Sequence, residues 1–330
     1  MSARTHRDAP GSGPRVVALG GGHGLAVSLR ALRRVTDRLT AVVGVADNGG
    51  SSGRLREEFG VLPPGDLRMA LAALCGDDSW GRTWARVVQH RFTGDGDLAG
   101  HSLGNLLITA LWEQTADPVA GLDWVAALLG AHGRVLPLST VPLEIVADVR
   151  GTRPDRPAEV VEVRGQVQVA TTAGEVVALR LQPDRPPGCP EAVQAVEQAD
   201  VVVLGPGSWF TSVLPHLLVP EIGEALVRST ATRILVLNLG EQVGETSGFA
   251  PETHLEVLAA QFPDVKIDTV LADRAQVPDV AALQAACSGV GATLVLERLA
   301  DSRDASRHDP DLLAAAFGDV LDRGRIAPWR

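Results

Sequence analysis

Apolar residues follow two rhythms along this chain. From Arg15, short and nearly unbroken apolar runs alternate with stretches in which apolar positions recur every three or four residues. RVVAL (15–19) leads through glycines into LAVSLRALRRV, where Leu25, Leu29 and Leu32 share one helical face. LTAVVGVA (39–46) reads as a second strand, followed by helices in SGRLREEFG and GDLRMALAALC. HSLGNLLITALWEQ (101–114) and PVAGLDWVAALLG (118–130) predict two more helices. Strands alternating with helices predict a parallel sheet covered on both faces.

The middle of the chain changes period. VLPLS, LEIVADVRG, AEVVEVRGQVQVA and EVVALRLQP are β-rich and alternating, with turn residues between them. This insert, about 135–182, is either a small subdomain or a set of antiparallel strands added to the main sheet. After about residue 190 the alternation returns with VVVLGPG, RILVLNLG, DTVLAD and TLVLERL. The predicted fold is α/β and Rossmann-like: a mostly parallel sheet, helices on both faces and a β-rich insert in mid-chain. One nucleotide-binding domain is expected over residues 15–330, after a disordered polar tail over 1–14.

Composition narrows the function. Formal net charge is −10, and the basic residues are almost all Arg, scattered between acids. Without a basic stripe, nucleic acid is not an expected partner. Cys75, Cys189 and Cys287 lie far apart, which argues for a reducing compartment and against zinc or a disulfide framework. No run of about 20 apolar residues predicts a membrane span. A cytoplasmic location is expected.

In an open parallel sheet, ligands bind at the carboxyl ends of the strands. There the polar residues collect. The first strand ends in Gly20-Gly21-Gly22-His23-Gly24, the second in Asp47-Asn48-Gly49-Gly50-Ser51-Ser52-Gly53, and a later one in Gly205-Pro206-Gly207-Ser208. Glycines before a helix let backbone N–H groups approach phosphate oxygens. GGGHG matches neither G-x-G-x-x-G nor a Walker loop, and Lys266 is the only lysine. It reads as an anion loop or as a plain tight turn. Asp47 is placed to accept ribose hydroxyls or to hold a divalent ion. Gly49 and Gly50 are expected to lay N–H groups against the ligand. Ser51 and Ser52 present hydroxyls to it or cap the next helix. Arg54 pairs with a phosphate, or with Glu57 or Glu58 on its own helix. Asp66 and Arg68 stand at the start of a further helix, where Asp66 is a ligand contact or an N-cap. Ser208, Thr211 and Ser212 offer hydroxyls around another helix start. Asn105 sits with His101 and Ser102 in a polar turn of an otherwise apolar helix, facing a ligand or packing as a satisfied amide. His308 and Asp309 read mainly as a helix start. Neither a Ser-His-Asp elbow, an HExxH nor a C-x-x-C is present.

Five blocks in order carry a resemblance: ALGGGHGL (18–25), VADNGGSSGRLREEFGVLPPGDLR (45–68), GHSLGNLLI (100–108), LGPGSWFTSVLPHL (204–217) and HDP (308–310). Together the chain resembles the gluconeogenesis-factor family (YvcK-like proteins), within the 2-phospho-L-lactate transferase (CofD-like) superfamily. The resemblance implies a Rossmann-like fold and a crevice for nucleotide derivatives, UDP-sugars in particular. It implies a regulatory role in cell shape and peptidoglycan supply under gluconeogenic growth. By motif, Gly21, Gly22, Gly24, Asp47, Gly49, Gly50, Ser51, Ser52, Asp66, Asn105, Gly205, Gly207, Ser208 and Thr211 become pocket residues. Regulatory protein partners in cell-wall synthesis and a homodimer are further candidates.

Two departures bear on chemistry. His23 stands where such proteins usually carry Thr, and Asn48 where they carry a second Asp. With Asn48, the seat for Mg²⁺ at Asp47 and Asn48 loses one charge. No cofactor is required by this reading, and a UDP-sugar-binding regulator without turnover is the leading expectation. The alternative is a phospholactyl transferase using a nucleotide donor, with Asp47 and Asp66 as its catalytic carboxylates.

Overall fold

The computed structural model describes residues 13–242 and 244–325. The tail expected over 1–14 thus lies, apart from Gly13 and Pro14, outside the described residues. Among the described residues there are ten strands: β1 (Val16–Gly20), β2 (Leu39–Val43), β3 (Arg134–Pro137), β4 (Glu144–Arg150), β5 (Val160–Arg164), β6 (Glu175–Gln182), β7 (Val201–Leu204), β8 (Thr232–Val236), β9 (Thr269–Asp273) and β10 (Thr293–Glu297). Seven of them form one sheet in the order β10-β9-β8-β7-β1-β2-β3. Every pairing in it is parallel. The central strands β1, β7 and β9 are buried at every position, as sheets covered on both faces require.

From β1 the order runs outward through β2 and β3 on one side and β7 to β10 on the other. The switch point lies between β1 and β7, where Val16 pairs with Val201 and Leu19 with Leu204. Crossover helices diverge there and leave a crevice beyond the carboxyl ends.

The remaining strands form a separate antiparallel sheet, β5-β4-β6. Two expectations are corrected. VLPLS does not belong to the insert: β3 pairs in parallel with β2, Val135 opposite Ala41, and closes the main sheet. QVQVA is not strand: Gln166–Thr171 is a short helix. Its alternation had suggested β structure, but Val169 alone of the six is buried, so one inward anchor sufficed for a helical turn.

Helix starts are also differently built. Ser51 and Ser52 lie inside the first turn of helix Gly50–Phe59, whose N-cap is Gly49. Gly50 has φ +46°, a left-handed conformation costly for residues with a Cβ. Asp66 is likewise inside helix Pro64–Ala73 and does not cap it. Asp309 does cap Pro310–Arg325, its Oδ1 accepting from the N–H of Asp311 at 2.7 Å and of Leu312 at 3.2 Å.

Candidate functional site

A cleft of about 500 Å³ lies at the switch point. The loop after β1 supplies His23 and Gly24, the loop after β7 supplies Pro206 and Gly207, and the loop after β8 supplies Asn238 to Gln242. Asp301, Arg307 and His308 close its far side. The first two loops touch. A Cβ on Gly24 would collide with the Pro206 carbonyl oxygen, so only glycine allows the helix to start there. Ser28, fully buried on that helix, donates to the Gly205 carbonyl at 3.1 Å and ties the loops from below. Asn238 clamps Gly207 from the other side: Oδ1 accepts from its N–H and Nδ2 donates to its carbonyl, each at 2.9 Å.

Arg30 and Arg307 line the cleft together with Glu241 and Asp301, and Arg307 Nε also pairs with Asp304 at 3.2 Å. Partial burial, then the charges of Arg307, Arg30 and Arg68, hold the His23 imidazole below its ordinary pKa. Arg30 itself lines the cleft beside Val27. Burial pushes His308 down to about 4, so it is neutral at physiological pH. Its Nε2 is buried without a protein partner.

A carboxylate pair stands next to the glycine loop. Asp66 takes a hydrogen bond from the main chain of Gly22. Burial and, second, the Asp47 charge raise its pKa to about 7; the Gly22 bond and Arg68 act against that. Asp66 as a residue is half-buried. Asp47 Oδ1 accepts from the Gly49 N–H at 2.9 Å. Ser212 completes this corner: its Oγ would lie 3.6 Å from a Cβ on Gly21.

Asn48 turns away from that pair. Its Nδ2 donates to Gln168 Oε1 at 2.9 Å, and its Oδ1 accepts from the Val167 N–H at 3.1 Å. The expected seat for a metal at Asp47 and Asn48 is therefore not formed, because the Asn48 oxygen serves the insert helix. Among the described residues no group of three or more His, Cys, Asp or Glu gathers as a metal site.

Several expected residues have buried polar groups committed to protein. Ser51 Oγ meets His101 Nδ1 and accepts from Asn105 Nδ2, both at 2.9 Å. Ser52 Oγ accepts from the Gly65 N–H at 3.0 Å. Arg68 donates to Ser102 Oγ at 2.6 Å. Thr211 donates to Glu245, which also accepts from the Phe210 N–H at 3.1 Å. Gly49 lies against Val167 of the insert helix. Ser208 accepts through its carbonyl from the Ser212 N–H at 2.8 Å. Arg54 forms no ion pair with Glu57 or Glu58: its Nη2 donates to the Ala99 carbonyl at 2.7 Å. With Asn48, Gly50, Arg56, Glu57, Glu144 and Gly165 it lines a second hollow of about 660 Å³ beneath the insert.

Sequence reasoning missed Arg30, Asn238, Gln242, Glu245 and Arg307, and underrated His308. Asn238 and Gln242 had a signal in LNLGEQ, a polar glycine loop at the end of an apolar run. Arg30 and Arg307 had none, since only folding separates them from the other arginines.

The sequence matches the protein family described as 2-phospho-L-lactate transferase CofD over residues 16–295. A gluconeogenesis factor of Listeria monocytogenes is 37% identical over 80% of this chain and 79% of its own length. That of Bacillus subtilis is 35% identical, over 82% and 81%. A Mycobacterium leprae protein named after the same factor is 52% identical over 94% of this chain and 87% of its own. A crystal structure of a UPF0052-family protein from Bacillus halodurans superposes with a TM-score of 0.81 at 32% identity, covering 92% of this chain and 97% of that one.

Proposed function

The chain belongs to the 2-phospho-L-lactate transferase CofD family, and we propose that within it this protein is a nucleotide-sugar-binding regulator of the gluconeogenesis-factor kind. The proposed ligand is a UDP-sugar, with its diphosphate against the loops after β1 and β7. The proposed role is cytoplasmic control of cell shape and peptidoglycan supply during gluconeogenic growth.

One observation carries this reading: three loops converge at the switch point on a 500 Å³ cleft with Arg30 and Arg307 beside it. Glycine-loop N–H groups at a helix start together with two arginines suit a polyanion such as a nucleotide diphosphate, and that supports the reading. Ser51 and Ser52 accept from Asn105 and Gly65 and Thr211 donates to Glu245, so these hydroxyls are left out of the proposed contacts. The groups proposed to meet ligand are the main-chain N–H groups of Gly21, His23 and Gly24, with the side chains of His23, Asp47, Asp66 and Ser212.

A thermal-shift screen of nucleotide sugars tests it. A ligand at 100 times its dissociation constant adds about 2.7 kcal/mol to stability. UDP-N-acetylglucosamine and UDP-glucose are expected to raise Tm while free sugars do not; no shift from any nucleotide sugar at millimolar concentration overturns the reading.

A second reading, phospholactyl transfer from a nucleotide donor, draws support from the Asp47–Asp66 pair. A carboxyl with a pKa near neutrality beside an ionised one is the arrangement that proton-transfer chemistry uses. Phospholactyl transfer to a deazaflavin alcohol by the unmodified protein, abolished in Asp66→Asn, would establish it.

A further inference from the structure

His308 enters the cleft from its far side, beside Pro310. Its backbone is fixed on both flanks. It bridges Ala300 in an antiparallel pair, and the Asp309 N–H donates to the Leu299 carbonyl at 2.8 Å. Leu299 and Ala300 are themselves held, their N–H groups donating to Asp273 Oδ2 at 2.6 and 2.9 Å. The ring therefore stands in a set place, and its two nitrogens decide what it can do. Burial keeps the imidazole neutral, so one nitrogen carries a proton and the other a lone pair. Nε2 is shut inside the protein, so the ring meets the cleft by its Nδ1 edge. The Leu237 main chain raises the pKa of the ring, as an accepting carbonyl does, although Nε2 completes no hydrogen bond. A proton on Nε2 suits that setting and leaves the lone pair on Nδ1, where only a donor can satisfy it.

Phosphate and carbonyl oxygens are acceptors and cannot serve it. Val27, Pro206, Leu239 and Pro310 give the same cleft apolar walls, the kind of lining in which a few placed polar groups fix a ligand's orientation. With a diphosphate on the loop after β1, a nucleotide laid across the switch point carries its base toward the loop after β8 and His308. We propose that His308 is the residue that selects the base: its Nδ1 accepts a ring N–H, so uracil, with a proton on N3, is taken and cytosine, whose N3 is a lone pair, is refused. The selection rests on the nucleotide reading proposed for the cleft and adds to it a residue and a rule. Arg30 and Arg307 would meet the same diphosphate in UDP- and CDP-sugars, so they cannot tell the two bases apart. Cytosine would leave the Nδ1 acceptor and its own N3 without a donor, the costly case for groups shut away from water.

Calorimetry with UDP-glucose, CDP-glucose and N3-methyl-UDP-glucose reads the selection. UDP-glucose is expected to bind the parent at least tenfold more tightly than either of the other two. In His308→Phe, which keeps a flat ring without the acceptor, UDP-glucose should weaken to the level of CDP-glucose, whose own affinity stays within about threefold of its value for the parent. N3-methyl-UDP-glucose makes the test on the unaltered protein, so a variant that fails to fold does not shield the proposal. Equal binding of the three ligands to the parent overturns it and leaves the nucleotide reading standing. A preference that persists in His308→Phe, or a loss that UDP- and CDP-glucose share equally there, does the same. Binding of none of the three overturns both.

Discussion

Asp66 presses its carboxylate so close to Gly21 that a Cβ there would stand 2.5 Å from Oδ2. The contact joins the loop after β1 to helix Pro64–Ala73, two parts of the crevice that share no hydrogen-bonded ladder. Gly21→Ala should therefore destabilise the protein by about 1–3 kcal/mol, the usual cost of overpacking. In an Asp66→Ala background the same substitution should cost much less. Urea unfolding of the four proteins should give a coupling energy of about 0.5–3 kcal/mol; additive effects would show that the two residues do not bear on each other.

The titration of Asp66 has a defined sign. Its folded pKa of about 7 lies above the ordinary 3.8, so the native state keeps a proton that the unfolded chain releases. That contribution is complete below about pH 4 and fades as pH rises toward 7. His308 works oppositely: its folded pKa of about 4 lies below the ordinary 6.5, and stability is lost as pH falls from 6.5 toward 4. Asp66→Asn should gain stability relative to the parent progressively between pH 4 and 7. NMR titration of Asp66 should also move to lower pH in Asp47→Ala, because the Asp47 charge is one cause of the raised value. That variant should stay folded, having given up one part-exposed hydrogen bond to Gly49, worth about 1 kcal/mol.

Asn48 latches the insert helix through Gln168 and Val167. Asn48→Ala should speed amide exchange across residues 166–171 and cost about 1 kcal/mol for each bond lost. Asn48→Asp should leave magnesium affinity within about twofold, measured by calorimetry, because the added charge faces the insert and not Asp66. A tenfold gain would return Asn48 to the metal.

Much of the fold was legible because β1, β2 and β7 to β9 are buried runs of a kind that only a covered parallel sheet produces. The glycine loops at their ends were legible for the same reason: glycine and hydroxyl residues contribute nothing to a core. The residues at 134–137 and 166–170 were misread because their neighbours decide their structure. β3 exists through pairing with β2, and Gln166–Thr171 is fixed by Asn48 and by the Thr211 carbonyl, which accepts from Gln166 at 3.4 Å. The hydroxyls of Ser51, Ser52 and Thr211 bond to other parts of the protein, a detail that the sequence did not reveal. Their partners His101, Gly65 and Glu245 are from 13 to 50 residues away, beyond what local pattern reveals.

Glu245 holds the turn after β7 in shape. Its buried carboxylate accepts from Phe210 and Thr211, and Gln242 Oε1 accepts from the Trp209 N–H at 3.3 Å. Glu245→Ala leaves buried donors unpaired and should cost about 1–3 kcal/mol. Glu245→Gln keeps an acceptor and should cost less than half as much by thermal melt. Equal losses would mean that the carboxylate acts by charge and not by satisfying the turn.

Calorimetric titration of UDP-N-acetylglucosamine and UDP-glucose into the parent protein and into an Arg30→Gln/Arg307→Gln variant tests the central claim most directly. At least one of the two nucleotide sugars should bind the parent. Removing both cations should weaken that binding at least tenfold, about 1.4 kcal/mol, with the melting temperature of the ligand-free protein little changed. No measurable heat from either ligand at millimolar concentration, or binding that is unaltered in the double variant, would contradict the account.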